Sequence, residues 1–143
     1  MVGLCMSFDK IWDEISFKSK NWLQNRTELR TLGIGKKAKP FLITEVTSNS
    51  LRVGVNSNEY FKTDFNRAVQ LLLENGKTGA ELRPIKTNAP IEGTIDYVLR
   101  PINEKGHRPP MKATWIGAIL VHSGVALQIA EKPITIRLRD EYL

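Results

Sequence analysis

Cysteine and histidine are scarce in this sequence, and their scarcity excludes several classes of functional site. The 143 residues include one cysteine, Cys5, and two histidines, His107 and His122. A single cysteine cannot close an internal disulfide or build a cysteine-based zinc cluster. Two histidines leave too few ligands for a metalloenzyme, and Cys5 has no neighbouring histidine to activate it as a nucleophile. The sequence therefore predicts no metal and no cofactor.

The acidic residues also lack the arrangement that a nuclease needs. Metal-dependent hydrolysis uses several carboxylates around one ion, and residues 81–86 lack the short Glu-x-Lys spacing of such sites. The glycines of residues 33–37 lack the Walker spacing of a nucleotide-binding loop. Glu45 and Asp64 would have to converge to make a hydrolase, and a capping role at a helix start explains Asp64 more simply. We therefore expect no catalytic residues and no enzyme.

The composition is that of a globular domain with a basic excess. Hydrophobic residues make up 41% and charged residues 25% of the chain, and a chain of this length can bury a core of its own. We predict a small α+β domain with mostly antiparallel strands. A helical segment over residues 1–32 would precede a core domain over residues 41–143, and the two would form one compact domain overall.

Hydrophobic spacing predicts the elements of the first half. Residues 8–15 place apolar side chains on one helix face, which predicts an N-terminal helix with Trp12 in the core. Residues 16–30 would continue this helix or form a second one. Residues 41–62 predict a β-hairpin and a short third strand. Thr63 is expected to cap a following helix that ends near Gly76.

The second half is less regular. Thr87 or Asn88 is expected to cap a helix with Pro90 in its first turn. The apolar run over residues 113–130 predicts two buried strands around a turn at Ser123 and Gly124. A buried helix stays open as an alternative, because periodicity does not distinguish short apolar runs.

The last strand is predicted over residues 134–139, where apolar residues alternate with polar ones. Arg137 and Arg139 share one face of it and favour an edge strand, which basic side chains protect from aggregation.

The basic excess lies in two blocks. Lysine and arginine total 21 against 15 aspartate and glutamate, a net charge of +6. Residues 1–39 carry +4 and residues 77–112 carry +3, whereas residues 40–76 carry −1 and residues 113–143 are neutral. If the fold brought the two blocks together, they would form a positive face suited to a polyanion.

Both blocks contain basic loops that are candidates for phosphate contacts. Glycine-rich and proline-rich loops let lysine and arginine reach phosphates without demanding precise geometry. Trp22, among basic residues, is the best candidate for an exposed aromatic that stacks on a base, although core packing explains it as well. The candidate nucleic-acid-binding residues are Trp22, Arg26, Arg30, Lys36, Lys37, Lys39, Arg83, Lys86, Lys105, Arg108 and Lys112.

One part of the chain resembles small prokaryotic DNA-binding or restriction-and-defence-associated modules. In those modules a hairpin leads through a short strand into a helix that begins with an acidic-aromatic pair. The matching segments here are residues 41–46, 51–55 and 63–68, with a looser likeness over residues 93–99. The resemblance covers about 60 of the 143 residues. It implies DNA in preference to RNA, and it carries no catalytic motif.

These observations favour a non-enzymatic nucleic-acid-binding protein with a role in defence or regulation. The alternative is a protein-interaction module, an inhibitor or a homodimer, that binds through the apolar residues 115–130. The first six residues are too short for a signal sequence, and the apolar run over residues 113–130 is interrupted by His122, Ser123 and Gln128. We therefore expect a cytoplasmic protein with no membrane partner.

Overall fold

The computed structural model describes residues 8–33, 38–54, 58–83 and 90–143. The helices of these residues are α1 (Phe8–Asn25), α2 (Lys62–Asn75), α3 (Ile95–Val98) and α4 (Ala113–His122), with 3-10 turns at Gly76–Thr78 and Asp140–Tyr142. The strands are β1 (Leu29–Arg30), β2 (Pro40–Phe41), β3 (Ile43–Val46), β4 (Ser50–Val53), β5 (Glu59–Phe61), β6 (Ala80–Glu81), β7 (Ala126–Glu131) and β8 (Ile134–Leu138). All the pairings between them are antiparallel, in three small sheets. The predicted α+β class is confirmed.

Helix α1 packs against the hairpin of β3 and β4. Ile11, Trp12 and Ile15 lie on one face of the helix and are buried, as their spacing predicts. The indole Nε1 of Trp12 donates to the carbonyl oxygen of Ser48 at 2.9 Å, in the turn between β3 and β4. Residues 16–25 continue the same helix, so the N-terminal segment is one helix followed by β1.

The predicted hairpin, third strand and helix are present in that order. Strand β4 pairs with β3 on one side and β5 on the other, and α2 follows β5 directly. Thr63 does not cap this helix, because α2 begins at Lys62. The carboxylate of Asp64 instead accepts the backbone N–H of Phe61 at 2.9 Å, which satisfies a donor that the first helical turn leaves free.

The third sheet has the strand order β6-β8-β7. Strand β8 is present as predicted, with Ile136 and Leu138 fully buried, but it is the central strand and not an edge. Because β6 covers its other side, the edge-strand explanation for Arg137 and Arg139 is wrong. Their guanidinium groups instead pair with Asp140 and Glu141 just after the strand.

Residues 113–122 form a helix, so the predicted hairpin around Ser123 and Gly124 is wrong in its first half. The helix is apolar on nearly every side, since Ile116, Ile119 and Leu120 are all fully buried. A helix buried all round shows no amphipathic period, which explains why the sequence did not distinguish it from a strand. A Cβ at Gly117 would lie 2.8 Å from a methyl carbon of Leu82, so glycine lets α4 approach that side chain closely.

The predicted helix around Pro90 is shorter than expected and begins later. In the described residues it is the single turn α3, and Thr94 caps it by accepting the N–H of Tyr97 at 3.2 Å. Thr87 and Asn88 lie outside the described residues.

One hydrophobic cluster joins α1, the first strands, α2, α4 and the C-terminal sheet. The helices of the described residues are all too short or too polar to cross a membrane.

Candidate nucleic-acid interface

The net charge of the chain is concentrated in one short stretch, residues 18–39, which we call the basic segment. It holds seven lysines and arginines and one acidic residue, Glu28. This gives +6, and the other residues carry fourteen charges of each sign. The whole net charge therefore belongs to the end of α1 and the β1–β2 connection.

Arg26 ends α1 in an unusual backbone conformation. Its N–H donates to the carbonyl of Leu23 at 3.4 Å, and the N–H of Thr27 donates to the carbonyl of Trp22 at 2.9 Å. This is the Schellman arrangement, whose left-handed position is usually glycine. Arg26 occupies that position with φ of 52° and an exposed side chain. The backbone therefore holds an arginine in a left-handed conformation that glycine would adopt at a lower cost in free energy.

The short ribbon of β1 and β2 presents the next cations. Arg30 lies opposite Pro40 and Leu29 lies opposite Phe41. Because side chains alternate along a strand, Leu29 and Phe41 face the core while Arg30 and Pro40 face solvent. The Nη1 of Arg30 donates to the carbonyl of Ala38 at 3.3 Å, which holds its side chain along the ribbon.

Few carboxylates compensate these cations. Arg30 lies 3.5 Å from Glu28 and Lys18 lies 3.5 Å from Glu14, and all four side chains are largely exposed, so these pairs contribute little. Within the described part of the chain, Lys20, Arg26 and Lys39 have no carboxylate within 4.0 Å and are exposed. Trp22 is half-buried against the core, so it does not stand out from this surface.

A shallow groove of about 540 Å³ lies beside the basic segment. Residues 40–44 alternate between exposed and buried. Pro40, Leu42 and Thr44 therefore face solvent, and we call these three residues the outward stripe. Thr44 is the extra residue of a β-bulge between β3 and β4, and bulges re-aim side chains. The stripe lines the groove together with Arg26, Glu28, Phe41 and Gly54. The sequence analysis missed Leu42 and Thr44, although the alternation of residues 41–46 was a visible signal for them.

The end of α4 supports the ribbon from behind. The Nε2 atom of His122 lies 2.8 Å from the carbonyl oxygen of Arg30. A carbonyl oxygen can only accept, so Nε2 carries the proton in this contact. His122 therefore satisfies a backbone acceptor of the ribbon.

Residues 101–112 of the second basic block lead into the start of α4, whereas His122 at the end of this helix contacts Arg30 of the basic segment. Ten helical residues span ~15 Å, so this part of the second block is about one helix length from Arg30. Lys112 is buried, and its Nζ lies 2.8 Å from the Oδ2 of Asp64 and 5.0 Å from the ring centre of Phe61. Its surroundings give no support to a phosphate contact, and we leave Lys112 out of the interface.

The other predicted cations of this block differ in their surroundings. Arg83 has φ of 41° and lies 2.8 Å from Glu81. Lys105 is exposed. Arg108 donates to the carbonyl of Arg100 at 2.6 Å, where Arg100 itself is buried against Asp96 at 3.2 Å. Lys36, Lys37 and Lys86 lie outside the described residues.

The carboxylates considered for catalysis are engaged separately. Glu45 lies 3.1 Å from Arg52, and Asp64 is buried against Lys112. No group of three histidine, cysteine or acidic side chains among the described residues could hold a metal ion. Cys5 lies outside those residues.

The apolar segment proposed for a protein partner contributes chiefly to the core. Ile116, Ile119, Leu120 and Val125 are fully buried. Ile129, at the bulge of β7, is the large apolar side chain of this segment that remains exposed. One exposed isoleucine does not make an interface.

Comparison with known proteins finds no matching family model, no similar curated protein and no similar solved structure.

Proposed function

We propose that the protein binds nucleic acid, chiefly through phosphate contacts made by the basic segment. The observation that supports this proposal is the placement of charge. Seven cations and one carboxylate share residues 18–39, and Lys20, Arg26 and Lys39 point into solvent. A positive surface of this kind releases counterions from a phosphate backbone when it binds, which drives association.

The left-handed backbone of Arg26 gives separate support. A non-glycine residue in this region costs about 1–2 kcal/mol, and strain of this kind is concentrated at functional positions. Arg83 has the same conformation but lies 2.8 Å from Glu81, whereas the side chain of Arg26 makes no ion pair with the described residues. A solvent-facing arginine kept in such a position fits a role in binding a ligand.

The experiment is fluorescence anisotropy of labelled oligonucleotides, titrated with protein at several salt concentrations. If about six phosphates are neutralised, the logarithm of the affinity falls against the logarithm of salt with a slope of roughly −5 on a duplex. The double variant Arg26→Glu/Lys39→Glu is expected to weaken binding at least about tenfold at low salt and to reduce the slope by about 2.

The matched control reverses two exposed lysines outside the basic segment, in the variant Lys10→Glu/Lys132→Glu. It changes the net charge by the same amount and is expected to bind nearly as the parent does. Equal losses in both variants would assign the affinity to net charge alone. No binding of any oligonucleotide at low salt would overturn the proposal.

A further inference from the structure

The groove beside the basic segment differs chemically from the surface around it. Its floor is the outward stripe, in which Pro40 and Leu42 are apolar and Leu42 is 40% exposed. Thr44 is exposed, and its hydroxyl makes no hydrogen bond within the described part of the chain. An exposed apolar floor with a free hydroxyl is a surface that a ligand with an apolar face and polar edges would cover.

Glu28 decides which part of a nucleic acid can enter. This residue lines the groove, and its exposed carboxylate, which also lies 3.5 Å from the guanidinium of Arg30, would repel a phosphate placed in the groove. The same carboxylate can accept a hydrogen bond from the exocyclic amino group of a base. Arg26 lines the groove as well, and a planar guanidinium stacks on bases. The groove therefore suits a neutral base, while Arg30 and Lys39 remain outside it for the backbone.

Gly54 gives the base room to lie against the stripe. Its N–H donates to the carbonyl of Leu42 at 3.0 Å, so it lies directly beside the floor. A Cβ there would lie 3.1 Å from the Cγ2 of Thr44. Without a side chain at this position, the groove is open above both Leu42 and Thr44.

We infer that this groove binds one unpaired nucleobase, and that the ligand is therefore a single-stranded nucleic acid. The inference rests on the proposed function, because the charge around the groove is what brings the backbone to it. In a duplex the base faces are stacked and cannot reach Leu42, whereas a single strand can turn a base out onto an apolar floor.

The test compares three probes with the same total number of nucleotides, about 15, and so nearly the same number of phosphates: single-stranded oligo-dC, a single strand of abasic sites, and a short GC-rich duplex. We expect oligo-dC to bind about tenfold more tightly than the abasic strand. Leu42→Ala is expected to remove most of that difference and to leave abasic binding unchanged. Ile102→Ala, an exposed isoleucine outside the groove, serves as the matched control. Thermal melts check that both variants fold.

The outcomes separate the two proposals. If oligo-dC and the abasic strand bind equally, or if Leu42→Ala and Ile102→Ala behave alike, the base site is refuted while phosphate binding stands. If the duplex binds as tightly as oligo-dC, the single-strand preference is refuted. If none of the three probes binds at low salt, the proposed function itself has failed.

Discussion

The two basic blocks carry a similar net charge, and the fold uses them in opposite ways. In the second block Lys112 and Arg100 are buried against Asp64 and Asp96, so these cations hold elements of the core together. In the basic segment Arg26 and Lys39 are exposed and have no carboxylate partner in the described residues. A local count of lysine and arginine therefore does not distinguish structural cations from cations available to a ligand. Four predictions follow from this contrast, beginning with the largest effect.

Removing the buried ammonium group of Lys112 should destabilise the fold. Lys112→Met leaves the carboxylate of Asp64 buried without its ammonium partner, which should cost about 3–5 kcal/mol of unfolding free energy. Urea denaturation measures this loss. The double variant Asp64→Asn/Lys112→Met removes both charges and should recover much of it, since asparagine can still accept the N–H of Phe61. A single variant as stable as the parent would show that the pair is not structural.

Arg26→Gly should act in the reverse sense. Glycine adopts the left-handed conformation freely. The free energy of unfolding should therefore rise by about 0.5–1 kcal/mol, even though glycine has more conformational freedom in the unfolded chain. Oligonucleotide affinity should fall at the same time. The control is Arg26→Lys, which keeps both the strain and the charge and should keep the phosphate contribution on the abasic strand. A glycine variant with unchanged affinity would remove Arg26 from the interface.

The second block also has exposed cations, Arg83 and Lys105, and reversing their charge tests whether they contribute to binding as Arg26 and Lys39 do. Arg83→Glu/Lys105→Glu reverses the same number of charges as Arg26→Glu/Lys39→Glu, at two exposed residues outside the basic segment. We expect it to weaken oligonucleotide binding less than about threefold. Anisotropy under identical salt decides this. A loss as large as that of the basic segment would mean that both blocks contact one strand.

The smallest effect concerns Asp140, which is fully exposed. Its hydrogen bond and charge interaction with Arg137 hold the pKa of this carboxyl below its ordinary value of 3.8. A lowered pKa stabilises the fold above the unfolded value, and that stabilisation is lost as pH falls through the folded one. Asp140→Asn should therefore be slightly less stable than the parent near neutral pH, and the two should converge in stronger acid. With Arg137→Met as background, the difference should vanish at every pH.

Local patterns predicted much of the fold. The helix face of Ile11, Trp12 and Ile15 and the alternation in β8 are properties of neighbouring residues, and both are confirmed. Helix α4 was mistaken for a strand because burial on all sides removes the periodic signal. The position of β8 within its sheet depends on β6, more than 50 residues earlier, and no local pattern carries that information.

The candidate site was only partly predictable for the same reason. The positive charge of residues 18–39 is visible in the sequence, and so are Arg26, Arg30 and Lys39. The burial of Lys112 depends on Asp64, 48 residues earlier, which a sequence pattern does not show. The groove depends on Gly54 lying across from Leu42, which is a tertiary arrangement.

The central place of β8 also means that its sheet cannot form until the last strand has been synthesised. Strand β6 is complete about 50 residues before β8 begins, and a ribosome adds about 5–20 residues per second, an interval of roughly 3–10 s. Helix α2 packs against β8 in the finished protein, so the part of its apolar face that β8 covers stays exposed through that interval. A chain truncated before residue 134 should therefore depend more on a chaperone than a chain that includes β8.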